Sequence, residues 1–253
     1  MDLVADVGNT RCHLAAFEMG AIVHRFAARG DLGERELVAE WDRFLAAAGR
    51  PGRAAIASVN PPVEEKLARW MRGRGLEPLV LGKTLPARIE LAVREPGKVG
   101  ADRIAQALWA ARKRPGRAVL VASFGTALCY SLVSSRGVFE GGAIAPGLAL
   151  QAGALARGTA LLPEVGLDEA PRAIGRDTRS SIEAGIYFGA CALTDRLAIE
   201  MERATGEKLH VVATGGDAAV VARGSTSIAE VVPDVTLEGV AIALSELVES
   251  APQ

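Results

Sequence analysis

The sequence has few cysteines, few histidines and few aromatic side chains: 3 Cys, 3 His and 4% Phe, Trp and Tyr among 253 residues. Cys12, Cys129 and Cys191 are widely spaced, and each lies in an apolar run. We therefore predict buried, reduced thiols rather than disulfides or metal ligands. No histidine lies in an HExxH or Cys/His cluster, which argues against a catalytic zinc site.

Runs of like charge and long apolar stretches are also absent. With 29 basic and 30 acidic residues, the chain offers no basic patch for nucleic acid or for an anionic membrane. No stretch approaches the roughly 18 apolar residues of a membrane span, and MDLVADVGNT at 1–10 does not resemble a signal peptide. We expect a cytoplasmic protein whose partners are small molecules or other protein chains.

Two common catalytic loops are missing as well. LGKT at 81–84 ends like a Walker A loop, but Glu77 stands where that loop requires its first glycine. The sequence contains no G-x-S-x-G segment, which argues against an α/β-hydrolase.

What is present is an alternation of strand and helix patterns, which predicts the α/β class. Short Val, Leu and Ala runs predict strands at 2–7, 53–59, 77–82, 118–123 and 209–213. Helices are predicted at 34–48, 61–74, 102–113 and 180–204. Thr178 or Ser180 is the predicted cap of the last helix.

A boundary between two halves is predicted at ARKRPGR, residues 111–117, where Pro115 and Gly116 end a helix. The predicted domains are 1–115 and 116–253, without a flexible linker between them.

Each half opens with the same short frame. VADVGNTRCH at 4–13 and VASFGTALCY at 121–130 match in four positions: Val4/Val121, Ala5/Ala122, Gly8/Gly125 and Cys12/Cys129. The pattern predicts a β-hairpin, with Gly-Asn at the tip of the first copy. Glycine and asparagine tolerate backbone conformations that aim N–H groups at an anion such as phosphate, and Asp6 at the strand end can hold Mg²⁺. The alternative is an ordinary turn with a strand-end carboxylate.

Further motifs follow in a fixed order: SVNPP at 58–62, VGADRIAQALWAAR at 99–112, FGTA at 124–127, EGGAIAPGLALQAGAL at 140–155, TALLPEV at 159–165, GRDTRSSIEAGIYFG at 175–189 and TGGD at 214–217. In this order the sequence resembles the type III pantothenate kinases, within the wider group of sugar kinases, actin and heat-shock ATPases. The resemblance implies two similar ribonuclease-H-like lobes with a nucleotide cleft between them. It also implies ATP-dependent phosphorylation of pantothenate to 4′-phosphopantothenate, the first step of coenzyme A biosynthesis, by a homodimer.

The resemblance also assigns residues. Asp102 of GADR corresponds to the general base, and Arg103 can pair with the carboxylate of pantothenate. The acceptor site would comprise Gly100, Ala101, Asp102, Arg103 and Thr178, with Thr178 contributed by the second subunit. ATP would be held by Asp6, Val7, Gly8, Asn9, Thr10, Arg11, Cys12, His13, Gly125 and Thr126, with Mg²⁺ on Asp6. The alternative readings are a helix-terminal charge for Asp102, a solvated side chain for Arg103 and a helix cap for Thr178.

The second hairpin departs from the family pattern Asp-x-Gly-Thr-Ala-x-Thr-x-Asp. Ser123 replaces the aspartate associated with a monovalent cation, Cys129 replaces the threonine and Ser131 the second aspartate. Val93 stands where the family commonly has a substrate-contacting tyrosine. A requirement for K⁺ or NH₄⁺ is therefore open at Ser123. Two alternatives to the kinase also stay open: a non-catalytic or regulatory homologue, and an ATPase with water as acceptor.

Overall fold

The computed structural model describes residues 1–29 and 32–248. The strands are β1 (Asp2–Val7), β2 (Arg11–Glu18), β3 (Ala21–Arg29), β4 (Arg53–Ser58), β5 (Pro78–Val80), β6 (Val119–Phe124), β7 (Ala127–Val133), β8 (Phe139–Pro146), β9 (His210–Thr214) and β10 (Ile228–Val231). The helices are α1 (Glu34–Ala48), α2 (Pro61–Arg72), α3 (Ala101–Lys113), α4 (Leu148–Gly158), α5 (Thr178–Thr205), α6 (Ala218–Val221) and α7 (Val235–Val248), with a 3₁₀ helix at Pro96–Lys98. The end of the predicted second half, 249–253, lies outside the described residues.

The predicted strands and helices are confirmed, with ends that differ by no more than two residues. The sequence patterns missed β3, β8, β10, α4, α6 and α7. Strand β8 contains two adjacent glycines, which weaken a strand signal. Helix α7 is apolar on most of its surface, so it lacks the polar face that marks an amphipathic helix.

The predicted cap of α5 was wrong. The helix begins at Thr178, and Asp177 is its N-cap: the Asp177 carboxylate accepts the backbone N–H of Ser180 at 2.8 Å. Hydrogen bonds from the backbone and from the side chain of Ser180 lower the pKa of Asp177. An aspartate one residue earlier satisfies the same free N–H groups that a threonine or serine cap would have satisfied.

Among the described residues, the first of two compact units contains those of Met1–Glu90, those of Arg94–Trp109 and residues 235–248. Its sheet has the strand order β3-β2-β1-β4-β5. Residues Leu37, Trp41 and Phe44 lie on one face of α1 and pack with α2 against the sheet. Full burial of such side chains contributes about 1.5–3 kcal/mol each, so this packing determines where β1 and its turn lie within the unit.

The second unit contains Leu91–Val93 and Ala110–Asp234. Its sheet has the strand order β10-β9-β6-β7-β8. Leu120, Ala122 and Phe124 of β6 share one buried hydrophobic core with Ile186 and Ala190 of α5. This core supports the strand that leads into the second turn.

The two sheets share one topology, which explains the repeated frame. In each, the first strand pairs antiparallel with the second and the second with the third, and the first and fourth strands pair in parallel, as do the fourth and fifth. β1 and β6 are the corresponding first strands. The predicted α/β fold of two similar lobes is confirmed at this level.

The units differ from the predicted halves 1–115 and 116–253. Helix α7 belongs to the first unit because it packs on β1 and β4. Arg53 of β4 also donates a hydrogen bond from Nη1 to the Leu244 carbonyl of α7 at 3.4 Å. Residues 110–115 belong to the second unit. A boundary motif marks where a helix stops, but it does not show against which sheet a later helix packs.

Among the helices in the described part of the chain, none combines the length and the apolar character needed to cross a membrane.

Candidate active site

The first hairpin has its predicted form. β1 ends at Val7 and β2 begins at Arg11, and the Gly8 N–H donates to the Arg11 carbonyl at 2.9 Å across the turn. Asp6 lies directly opposite His13 in the antiparallel pair. The predicted cofactor residues Gly8, Asn9, Thr10, Arg11, Asp6 and His13 therefore lie together at one end of the first sheet.

Two other predicted cofactor residues, Val7 and Cys12, face each other across the same strand pair with their side chains in the core. They could contact a ligand through the backbone alone. Burial raises the pKa of the Cys12 thiol to about 12, and the negative charge of Asp6 contributes in the same direction. Cys12 is therefore a neutral thiol at physiological pH.

The sequence patterns missed a residue that supports this turn. Asn60 follows β4, the parallel neighbour of β1, and its Nδ2 donates to the Gly8 carbonyl at 3.5 Å. The Oδ1 of the same side chain accepts the Val63 N–H at 3.4 Å and caps α2. Asparagine before two prolines is a typical helix start, so SVNPP contained the signal.

The GADR segment forms the start of α3. The Gly100 carbonyl accepts the Ile104 N–H at 3.0 Å, and the Asp102 carboxylate accepts the Arg103 N–H at 2.8 Å. A Cβ on Gly100 would lie 2.5 Å from the Asp102 carboxylate. Glycine at this position therefore leaves the space that the carboxylate occupies.

Asp6 and Asp102 belong to the same unit, and the charge of Asp102 acts on Asp6. Burial, and to a smaller extent the negative charge of Asp102, raise the pKa of Asp6 to about 7. Burial also raises the pKa of Asp102, while the Arg103 N–H and the charge of Arg103 act in the opposite direction. Two desolvated carboxylates that repel each other can be stabilised by a cation or by a shared proton.

These carboxylates fit a magnesium ion that is held largely by phosphate and water. Within residues 1–29 and 32–248, no group of three or more His, Cys, Asp or Glu side chains could hold a metal ion. Mg²⁺ in phosphoryl-transfer sites commonly uses one or two carboxylates, several waters and phosphates of the substrate. Asp6 is the first candidate ligand, since burial and the charge of Asp102 both favour a bound cation there.

The second hairpin lies in the second unit. The Gly125 N–H donates to the Ala127 carbonyl at 3.2 Å, and the Thr126 carbonyl accepts the Gly147 N–H at 2.9 Å. A Cβ on Gly147 would lie 2.1 Å from the Gly125 carbonyl oxygen. Gly147, just before α4, is therefore in close contact with this turn and no larger residue would fit.

The two hairpins differ by one residue at the turn, and this changes which side chains correspond. Three residues separate β1 from β2, but only two separate β6 from β7. Cys12 thus pairs with Val7 in the core, whereas Cys129 pairs with Ser123 on the opposite face of its sheet. A shift of one residue moves a side chain to the other face. The Cys12/Cys129 match in sequence is therefore not an equivalence in structure.

Ser123 has uncharged neighbours in its sheet. It pairs with Cys129 on β7 and with Thr214 on β9, and the next residue pair along the same face is Val121 with the buried Ser131. Ser131, which replaces the family's second aspartate, thus lies on the same face as Ser123. This row of neutral side chains stands where the family pattern has carboxylates.

The other predicted acceptor residue, Thr178, begins α5 in the second unit. It lines an open surface groove with Leu162, Arg176 and Ile182. Val93, which stands in place of the family tyrosine, lies near Gly141: a Cβ on that glycine would be 3.5 Å from Val93 Cγ1.

The paired topologies and the two hairpin turns define a class of protein, the sugar-kinase and actin-like ATPase fold. The fold of this chain is similar to that of a candidate 2-dehydro-3-deoxygalactonokinase from Sinorhizobium meliloti. The similarity covers 100% of this chain and 99% of the solved chain, with a TM-score of 0.62. Its sequence identity is 15%, so the similarity concerns the fold alone.

The family follows from sequence comparison. A model of the type III pantothenate kinase family matches residues 2–200. A type III pantothenate kinase from Dehalococcoides mccartyi is 33% identical over 250 residues, which cover 94% of this chain and 92% of the relative. That of Syntrophotalea carbinolica is 35% identical over 251 residues, with 96% and 97% covered. The chain belongs to the type III pantothenate kinase family, which confirms the resemblance and implies the use of ATP and a divalent metal ion.

Proposed function

We propose that the protein transfers the γ-phosphoryl group of ATP to the primary hydroxyl of pantothenate. The observation that carries the proposal is that the buried Asp6 lies within range of the charge of Asp102 in the first unit, in a chain of this family. Phosphoryl transfer depends mainly on positioning and on stabilisation of charge. Asp6 as a ligand of the metal ion and Asp102 as a carboxylate of raised pKa together suit both requirements.

Several of the predicted residues have a defined part in this reaction. MgATP, when bound, supplies the phosphoryl group and a divalent charge. Asp6 holds the metal directly or through water, and the backbone at Gly8–Thr10 and at Gly125–Thr126 binds phosphate oxygens. Asp102 accepts the hydroxyl proton as the new oxygen–phosphorus bond forms and ADP leaves. Arg103 and Thr178 orient the acceptor.

We propose that the second hairpin has no charged side chain with which to bind a monovalent cation. Ser123, Cys129 and Thr214 present uncharged groups on one row of the sheet, and a hydroxyl cannot neutralise K⁺ as a carboxylate can. Activity should therefore depend little on whether the salt is KCl, NH₄Cl or NaCl.

The test is an assay of purified protein with pantothenate and MgATP in each of the three chlorides, with 4′-phosphopantothenate followed by mass spectrometry. We expect product in all three, at rates within about twofold. Strong stimulation by K⁺ or NH₄⁺ would contradict the proposal about Ser123. Folded protein that gives no product would favour the regulatory homologue, and phosphate release without a need for pantothenate would favour the ATPase.

We also propose that the protein is a cytoplasmic homodimer. Support for a dimer comes from an apolar groove beside α5, lined by Ile174, Ala184, Gly185 and Phe188. Ile174 is 78% exposed and Phe188 39%, and exposed apolar side chains that cluster are typical of interaction surfaces. Light scattering of the eluting protein at micromolar concentration should give twice the mass of the chain; a monomer there would contradict the dimer.

A further inference from the structure

Two helices of the first unit are joined side by side through buried contacts. The Gln106 amide of α3 donates to the Thr236 hydroxyl of α7 at 3.1 Å, and the Trp109 indole N–H donates to Glu238 at 2.7 Å. Where the two helices meet, a Cβ on Gly239 of α7 would lie 2.0 Å from the Ala105 carbonyl oxygen of α3. The two helix backbones are therefore in direct contact at this point.

Along α3, this contact lies close to Asp102, the proposed general base. Gln106 follows Asp102 by one helical turn, and residues four apart lie on the same side of a helix. Helix α7 also packs on β1 and β4, and Asp6 is the second-last residue of β1. The Gln106–Thr236 hydrogen bond thus belongs to a continuous packed connection from the Asp102 helix to the Asp6 strand.

Packing alone does not require a polar pair here. Gln106 is 2% exposed and Thr236 9% exposed. Among the described residues, none forms a hydrogen bond with Gln106 Oε1. A buried amide oxygen without a partner costs free energy, whereas two apolar groups of the same shape can replace a buried polar pair at nearly no cost. What an apolar pair would lack is the directional bond that sets the axial and rotational position of α3 on α7.

We propose that Gln106 and Thr236 are a positioning pair for Asp102. Their hydrogen bond sets the position of the first turn of α3 relative to α7, and through α7 relative to β1 and Asp6. Small displacements of a reacting group reduce rates strongly, so the pair acts on the chemical step without touching substrate. The inference rests on the proposed function, because it assigns these residues to the same reaction.

The test is a double-mutant cycle with Gln106→Met and Thr236→Val. We expect each single variant to lower kcat roughly tenfold with the KM for ATP unchanged, and the double variant to show the same roughly tenfold loss rather than the product of the two. The melting temperature of the double variant should equal or exceed that of the wild type, since both polar groups are gone. Thr236→Ser, which keeps the hydroxyl, should retain near-normal kcat.

A matched control removes a buried hydrogen bond elsewhere. Tyr130 and Thr194 form one of 2.9 Å in the second unit, and Tyr130→Phe should lower the melting temperature while kcat stays within twofold. If the double variant of Gln106 and Thr236 keeps normal kcat, or if the single effects on kcat multiply, the positioning role is refuted.

A second readout does not depend on the reaction. Amide hydrogen exchange at the first turn of α3 should accelerate in Gln106→Met and in the double variant, and should be unchanged in Tyr130→Phe. Wild-type protein without kinase activity would refute the proposed function and with it the role in catalysis, whereas exchange at α3 would still report the coupling. Unchanged exchange in an active enzyme would refute the coupling itself.

Discussion

Replacing Asp102 with asparagine is expected to lower kcat by roughly 10²- to 10⁴-fold, the usual contribution of a positioned general base. Asparagine keeps the shape of the side chain and cannot accept the hydroxyl proton. The KM for ATP should change little, because the predicted phosphate contacts are elsewhere. In the wild type, burial raises the pKa of Asp102 above its ordinary 3.8, so kcat should fall on the acid side at a higher pH than for an exposed aspartate.

Glu64→Gln is the matched control for this variant. Glu64 is likewise an acidic residue in the first turn of a helix of the same unit, and it pairs with Lys83 at 2.7 Å. The Glu64→Gln variant should keep kcat within twofold of the wild type, since a neutralised helix-terminal charge costs only about 0.3–1 kcal/mol of stability. Equal losses in both variants, or none in Asp102→Asn, would mean that Asp102 acts as a helix-terminal charge alone.

Replacing Asp6 with asparagine is expected to abolish activity and, in metal-free protein, to increase stability in a pH-dependent way. The pKa of Asp6 is about 7 in the folded chain against an ordinary 3.8. Its ionisation therefore opposes folding: the destabilisation is absent below about pH 4, grows as pH rises to 7 and is constant above that. Asp6→Asn removes it, which should add up to about 4.5 kcal/mol to the free energy of unfolding above pH 7, at roughly 1.4 kcal/mol per pKa unit.

The measurement is chemical denaturation in EDTA at pH 4, 6 and 8, together with kinase assays at saturating MgATP. Asp2→Asn is the control on the same strand, because Asp2 is paired with Arg53 at 2.8 Å. That variant should lower stability slightly and leave activity intact. A loss of stability in Asp6→Asn at pH 8 would show that the carboxylate is already stabilised in the metal-free chain, contrary to the expected sign.

Local patterns predicted much of the first unit's site. The hairpin at Asp6–His13 follows from Gly-Asn between alternating strands, and the position of Asp102 follows from GADR before a helix pattern. Asn60 could have been found from SVNPP, because asparagine before prolines marks a helix start. By contrast, the cap of α5 was predicted one or three residues too late, at Thr178 or Ser180. Asp177, Thr178 and Ser180 are all acceptable caps by type, and only the hydrogen bond from the Ser180 N–H to the Asp177 carboxylate distinguishes them.

The same limit applies to the repeat. Sequence alignment equates Cys12 with Cys129, but the second turn is one residue shorter and Cys129 lies on the other face of its sheet. The two turns differ in length by a single residue. This difference decides which face of the sheet each later side chain occupies, and it becomes visible only when the strands are paired.

By itself, the sequence determined the strands and helices with strong local patterns, the repeated hairpin and the family to which the chain belongs. These features depend on residues close together in the chain, where propensity and turn chemistry act directly. The tertiary structure decided that the charge of Asp102 acts on Asp6, that α7 joins the first unit and that Gln106 binds Thr236. Each of these contacts joins segments far apart in the chain, and they form only because buried surfaces and strand registers must be satisfied together.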